Sequence, residues 1–301
     1  MLCLEAGKNV LCEKAFTVNA SQAKKLVEKA KEKGVFLMEA VWTRYFPLSI
    51  KIRELVKDGT IGKVERVTAD LSLNQAKEGG ELSLPDENRL VNMDLAGGAL
   101  LDLGIYSITW VFQILYLAAE KKEKPSVLAS MQKYRTGADE MTSMVFNWEG
   151  NRTVGIATTG LRVATQPDGE GSPAAGPACR IQGTNGEIQV CGPLYRPTMY
   201  RVILQGGEKG KFEEVDCPIP QDKEKEGKPG QEGWGHGMFW EADEAARCLR
   251  DGKKQSETLS WEESLVIMEV MDEVRKQGGL VYPKEIETDV YDEKSPLNGK
   301  A

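Results

Sequence analysis

The chain has one histidine, no C-x-x-C pair, and neither G-x-G-x-x-G nor G-x-x-x-x-G-K-[ST], the glycine loops that cradle phosphates. A single histidine rules against a His-rich metal site and nearly excludes a Ser–His–Asp triad. That residue, His236, lies in Gly235-His-Gly237 ahead of a helix and reads as a helix-end residue. The six cysteines (Cys3, Cys12, Cys179, Cys191, Cys217, Cys248) are far apart, the usage of reduced cytosolic thiols rather than a disulfide framework. The first residues show no basic stretch followed by a long apolar run, so no secretory signal is read there and the expected location is cytoplasmic. Excess positive charge is also lacking. With 39 Lys and Arg against 46 Asp and Glu, the net charge of −7 argues against nucleic acid or an anionic membrane as the main partner. Internal repeats and heptads are absent too.

One apolar run, Ala99–Ala119, is long enough to resemble a membrane span. It contains Asp102, Gly104 and Gln113, and a carboxylate at the centre of a bilayer costs about 2.5–3.5 kcal/mol, so a buried core helix is expected. The remaining composition, 41% apolar and 28% charged over 301 residues, suits one large or two ordinary globular domains.

Leu4-Glu5-Ala6-Gly7 reads as the last turn of a helix closed by glycine, and Asn9–Cys12 as a short buried strand. A helix rarely begins in its own final turn, so the expectation is that something precedes Met1. Asn19 with Gln22 three residues on forms a capping box; Ala23, Leu26, Val27 and Ala30 follow at helical spacing, and Gly34 ends the helix. Val35–Met38 reads as a second strand, completing one βαβ unit of a parallel sheet. After Pro47 come a helix at about 48–58 and a strand at 64–71. A polar loop with Gly79-Gly80 and Pro85 then leads to an apolar helix at 98–118. From Ser126 to Asp216 the pattern is all strand: 126–134, 141–148, 152–161, 179–183, 187–191, 199–205 and 211–216, with Asn185-Gly186 marking a hairpin. Antiparallel strands need one covered face, so these should form a large open sheet packed on helices. Loops at Gln166–Ala178 and Gln221–Gly233 interrupt it; helices at 238–250 and from Ser260 (with Glu263 at N3) to Gly278 close it, and 286–301 reads as a loose tail. The fold class is therefore α/β and α+β: a Rossmann parallel-sheet remnant at 1–41, a substrate-binding and oligomerisation domain at 42–285, and the tail.

Three clusters could carry chemistry. Glu13-Lys14 sits at the carboxyl end of the first strand, where open α/β sheets bind ligands; a solvated surface lysine is the plain alternative. Gly97-Gly-Ala-Leu-Leu-Asp102-Leu-Gly-Ile-Tyr106 puts Asp102 and Tyr106 four apart on one face of an apolar helix. A carboxylate there needs a partner, which Lys14 could be, unless Asp102 is satisfied structurally. Trp42-Thr-Arg44-Tyr-Phe46 combines rings and a guanidinium as a polyol pocket would, and as a packed core with a surface arginine would equally.

Together these segments resemble the Gfo/Idh/MocA oxidoreductases. The family's E-K-P motif stands here as Glu13-Lys14-Ala15, and its G-G-x-x-x-D-x-G-x-[HY] helix as Gly97–Tyr106. Tyrosine at the last place, Met38-Glu-Ala-Val-Trp-Thr-Arg-Tyr-Phe-Pro47 and Gly278-Gly-Leu-Val-Tyr-Pro283 look like the branch of dimeric dihydrodiol dehydrogenases and fungal D-xylose dehydrogenases. The resemblance implies NADP as cofactor, with Glu13 and Lys14 toward it, and a sugar or trans-dihydrodiol as substrate. It implies Lys14, Asp102 and Tyr106 as catalytic residues: Tyr106 as general acid/base, Lys14 stabilising its phenolate, Asp102 holding both. A neighbouring ammonium would lower a phenol whose ordinary pKa is about 10. Trp42, Arg44 and Phe46 would bind substrate, and the open sheet would pair two copies as a homodimer; apolar Met144, Phe146, Trp148, Ile188 and Val190 on its strands suggest the same. The family's phosphate turn would lie roughly 70–90 residues' worth of βαβ chain upstream, so these residues alone are expected to bind NADP weakly. The competing readings are a non-catalytic regulatory or binding protein of the same fold and an inactive truncated gene model.

Overall fold

The computed structural model of the chain describes all residues except 78, 79, 120, 170, 171, 173, 221–234 and 291–301. Gly79, the Gln221–Gly233 loop and the end of the tail thus lie outside the described residues, as does part of the Gln166–Ala178 loop.

The N-terminal unit is β1 (Val10–Glu13), α2 (Ala20–Lys33) and β2 (Leu37–Ala40), preceded by the four-residue α1 (Leu2–Glu5); β1 and β2 pair in parallel. The Asn19 carboxamide accepts from the Gln22 amide at 2.9 Å, and Gly34 closes α2 in the left-handed region at φ 62°. Ala23, Val27 and Ala30 form its buried stripe. Strand β2 begins two residues later than its apolar run suggests. The Val35 amide is taken by the Ala30 carbonyl (3.1 Å) in closing α2, and the Phe36 amide by the Asn9 side chain (2.9 Å). Those bonds leave Leu37 as the first residue of the ladder.

A 3-10 turn (Trp42–Tyr45) leads into α3 (Pro47–Lys57), whose first position is proline, where a missing N–H costs nothing. The large sheet has eight strands among the described residues, in the order β10-β9-β8-β7-β3-β6-β5-β4. These are β3 (Val64–Ser72), β4 (Ser126–Lys133), β5 (Asp139–Trp148), β6 (Thr153–Gly160), β7 (Cys179–Gly183), β8 (Gly186–Val190), β9 (Met199–Leu204) and β10 (Glu213–Asp216). All neighbours pair antiparallel except β3 with β6. The helices α4 (Ile105–Leu115), α5 (Phe239–Arg250), α6 (Trp261–Gly278) and α7 (Lys284–Glu287) complete the fold.

Every residue of α4 is buried, as expected for a core helix. It crosses the sheet at Gly155, where a Cβ would stand 2.3 Å from a Val111 methyl carbon, so only glycine admits this approach. Helix α6 starts on the Ser260 hydroxyl, which accepts from the Glu263 amide at 3.2 Å, and packs on β4 and α2.

Two expectations need correction. Residues 286–289 are not loose: the Gln22 side-chain Nε2 donates to the carbonyls of Ile286 (2.6 Å) and Thr288 (2.9 Å), and the Ser21 hydroxyl to Asp289 (2.6 Å). The polar first turn of α2 finds its partners in this segment. Met144, Phe146, Trp148, Ile188 and Val190, moreover, all point to the covered face, with at most 1% exposure. Their outward neighbours are Ser143, Val145, Asn147, Glu187 and Gln189, an ordinary two-residue alternation.

Candidate active site

Lys14 follows the last residue of β1, and Asp102 lies in a π-helical turn (Leu100–Gly104) that runs directly into α4. Single π turns inside helices recur at functional sites. Tyr106 is in the first turn of α4, on the same face as Asp102. The Lys14 ammonium donates to Asp102 Oδ1 at 2.8 Å and to the Asp102 carbonyl at 2.7 Å, joining positions 88 apart in sequence. It also stands 5.1 Å from the centre of the Tyr106 ring. Arg89, which sequence reasoning missed, donates to Asp102 Oδ2 at 2.9 Å from a largely exposed side chain. The Trp42 indole donates to Tyr106 Oη at 2.5 Å.

Burial alone would raise the Asp102 carboxyl. Lys14 first and Arg89 second outweigh it and hold the group below its ordinary range, so Asp102 is a carboxylate. Tyr106 goes the other way. Burial pushes its phenol well up; the indole bond from Trp42 opposes this, and the charges of Glu13, Asp102 and Glu241 add to it. The expected lowering by Lys14 is not what this arrangement gives, because the ammonium is directed at Asp102. Tyr106 therefore stands as a neutral proton donor.

The three groups separate two cavities that share Lys14, Arg89 and Asp102. One, of about 320 Å³, is lined by Tyr106, Tyr195, Leu73, Gln75 and Leu161. The other, of about 380 Å³, is lined by Ala15, Thr17, Val18, Gln22 and Gly97-Gly98. Tyr195 lies 6.2 Å from Tyr106 and 6.0 Å from Trp42, centre to centre. Its segment Pro193-Leu-Tyr-Arg-Pro197 carries no motif that would have marked it. Glu241, in the first turn of α5, was missed likewise. It is 8% exposed, its Oε2 has no partner among the described residues, and burial followed by Glu13 pushes its carboxyl up to about 7.

Among the other sequence candidates, Trp42 reaches the site through its indole N–H. Phe46 is buried behind it, edge-on at 5.6 Å, and also packs on Trp240 at 4.7 Å. Glu13 is exposed, and its carboxylate accepts from the Lys14 amide at 2.8 Å. Arg44 does not line the crevice. In a turn of three residues per repeat it points about 120° away from Trp42. It lies fully buried with Nη1 2.8 Å from Glu263 Oε1 and Nη2 donating to the Thr258 carbonyl at 2.5 Å. The Arg44–Glu263 contact is an ion pair by distance, yet among the described residues neither Nη1 nor Oε1 makes an aligned hydrogen bond. We regard it as Coulomb attraction without a directed bond.

Residues 1–41 match the oxidoreductase family with an NAD-binding Rossmann fold, and residues 49–189 match the GFO/IDH/MocA C-terminal domain. The chain is 59% identical over 301 residues to D-xylose 1-dehydrogenase (NADP+) of Hypocrea jecorina, covering 99% of this chain and 74% of that protein. It is 33% identical over 286 residues to human trans-1,2-dihydrobenzene-1,2-diol dehydrogenase, covering 95% of this chain and 75% of the relative. Among solved structures, a 3-ketoreductase from Actinomadura kijaniata in complex with NADP and TDP-benzene superposes with a TM-score of 0.66 at 20% identity, over 92% of this chain and 73% of that one. That last likeness concerns the fold.

Proposed function

We propose, for a chain that belongs to the GFO/IDH/MocA oxidoreductases, that it oxidises a sugar of the D-xylose type, or a trans-dihydrodiol, with NADP. The observation that carries this is the Lys14–Asp102–Arg89 network wedged between two cavities beside a neutral Tyr106. Hydride transfer brings two small reactants together at one point, and two adjoining cavities provide that. NADP, when bound, takes the hydride from the substrate carbon. The cavity with Tyr106, Tyr195 and Gln75 is the substrate side. The one with Ala15, Thr17 and Gln22 has room for a nicotinamide ring near Glu13 and Lys14. The 301 residues encode no glycine-rich turn for the phosphates, so they fit the nicotinamide end of the dinucleotide only.

Tyr106 Oη holds the proton that moves. In reduction the neutral phenol protonates the carbonyl oxygen; in oxidation the phenol first releases its proton to solvent, and the phenolate then takes the substrate hydroxyl proton as hydride leaves. The Trp42 N–H is the group bonded to the Tyr106 oxygen, and the Lys14 ammonium, held by Asp102, stands 5.1 Å from its ring centre. Asp102 and Arg89 keep Lys14 in place. Residues 1–41 act as the cofactor side and 42–285 as the substrate and assembly side of a cytosolic homodimer. Its pairing surface is the open sheet face, where Leu128 is 71% and Val145 37% exposed.

The test joins this chain to the dinucleotide-binding segment of the Hypocrea relative and follows NADPH formation with D-xylose. Turnover that falls at least about a hundredfold on Tyr106→Phe and on Lys14→Met is expected. Turnover indifferent to both substitutions would refute the site; none with any sugar or diol would refute the function.

A further inference from the structure

We infer that the cavity between α3, the start of β3 and the C-terminal end of α4 is a second binding site, for a small organic carboxylate with an apolar body. Its volume is about 830 Å³, and its lining includes Arg53, Gln113, Val64, Ile114, Leu117 and Thr153. That volume falls within the usual range for small-molecule sites, roughly 300–1,000 Å³. Tyr106 and Gln113 are seven residues apart on α4, about 10 Å along the helix, so this cavity is distinct from the catalytic crevice.

The recognition group is Arg53. Its Nη1 donates to Gln113 Oε1 at 2.8 Å and to the Arg44 carbonyl at 3.0 Å, both neutral acceptors. Among the described residues no carboxylate pairs with it: Glu54, next in sequence, lies 3.7 Å from Lys51, and the nearby Glu263 belongs to Arg44. Burial, with Arg44 adding, pushes Arg53 down to about 9 although the charges of Glu263 and Glu244 oppose it, so the guanidinium is only partly compensated. The wall behind it has donors in surplus. Gln113 is fully buried, and among the described residues its Nε2 has no acceptor and the buried Thr153 hydroxyl no partner. What the described residues leave unsupplied is a negatively charged acceptor bonded to Arg53. Carboxylate matches the planar fork of Arg53, and Val64, Ile114 and Leu117 would cover an apolar body. The lining also carries Lys57, Lys63 and Glu54; Lys63 is paired with Glu65 at 2.9 Å and Glu54 faces Lys51 at 3.7 Å, so Lys57 supplies the further positive charge.

Benzoate is the probe and benzamide its neutral counterpart. Titration of the isotope-labelled full chain with benzoate, followed by backbone amide NMR, should give saturable shifts in 50–64 and 113–119, with benzamide giving none. Arg53→Gln should weaken benzoate binding about tenfold or more, since a charge-assisted bidentate bond is lost. Val64→Phe, which fills the cavity and keeps Arg53, should abolish it, while Lys14→Met should leave it unchanged. Shifts clustered at Lys14, Asp102 and Tyr106, equal response to benzamide, or no saturation at tens of millimolar benzoate would each overturn the inference. The wild-type titration decides it even if a variant fails to fold.

Discussion

Substituting Glu263→Gln removes one charge from an ion pair whose two side chains are both 0% exposed. At 2.8 Å and an effective dielectric constant of about 20, their attraction is about 6 kcal/mol. Taking two ions out of water costs several kcal/mol each, so the intact pair contributes little net stability. Glutamine keeps the volume but leaves the Arg44 guanidinium buried with only the Thr258 carbonyl as a bonded acceptor. The expected loss is about 3–5 kcal/mol, plus a few tenths for a charge lost from the first turn of α6. Removing both charges, in Arg44→Met with Glu263→Leu, should restore most of it. The assay is urea unfolding of all three proteins at one pH, with m-values compared to confirm a common transition. A loss below about 1 kcal/mol for Glu263→Gln would refute the account, because it would mean that Arg44 reaches water in a way the structure does not show. A double variant as unstable as the single one would refute it differently, by showing that shape rather than charge holds this corner.

Glu39 is 2% exposed, accepts from the Ser264 hydroxyl (2.6 Å) and the Phe16 amide (3.0 Å), and burial pushes it up from 4.5 to about 7. A raised folded pKa gives stability that is full at low pH and lost as pH rises through about 7. Glu39→Gln should therefore gain up to about 3 kcal/mol relative to wild type between pH 4.5 and 8, read by denaturation at each pH; parallel curves would count against it. Trp42→Phe removes the bond that opposes the upward push on Tyr106, so the rise of the oxidation rate with pH should move to higher pH, and the rate at pH 8 should fall about tenfold or more. An unmoved pH–rate profile in the NADP-linked assay would dismiss that role. Asp102→Asn frees Lys14 from its counter-charge and should lower kcat/KM about a hundredfold while changing stability by no more than about 2 kcal/mol; stability falling together with activity would instead mark Asp102 as structural.

Much of this was legible in the sequence where the signal is local. Asn19, Gly34, Ser260 and the Asn185-Gly186 hairpin act through bonds to residues a few places away, and each behaves as its neighbourhood dictates. Lys14, Asp102 and Tyr106 were legible for a different reason: a motif named them, and the structure places the ammonium against the carboxylate and the ring. What sequence could not supply was direction. Trp42-Thr-Arg44-Tyr-Phe46 offers a ring and a guanidinium within three positions, and only the pitch of a 3-10 turn sends one into the crevice and the other into the core. The same holds for the sheet, where apolar residues on β5 and β8 could be counted but not assigned to a face. Arg89, Tyr195 and Glu241 come from segments without periodicity or motif, and tertiary packing alone brings them in.

That packing bears on how Lys14 works. Its strand belongs to the small parallel sheet, yet its ammonium is held by Asp102 from the turn ahead of α4. Similar ties recur along the same seam. The Phe16 amide and the Ser264 hydroxyl meet on Glu39, and the Ala20 amide, at the head of α2, is held by Asp272 of α6 at 2.9 Å. Each bond satisfies a group that its own element leaves unpaired, such as a first-turn helix amide or a loop amide. Separating the two units would strand several buried donors and acceptors at once, at roughly 1–3 kcal/mol each. The position of Lys14 is thus set by contacts on both sides of the seam rather than by its strand alone. An ammonium fixed in this way would change place little in the proton exchange proposed for Tyr106, which favours a preorganised site over one that rearranges during the reaction.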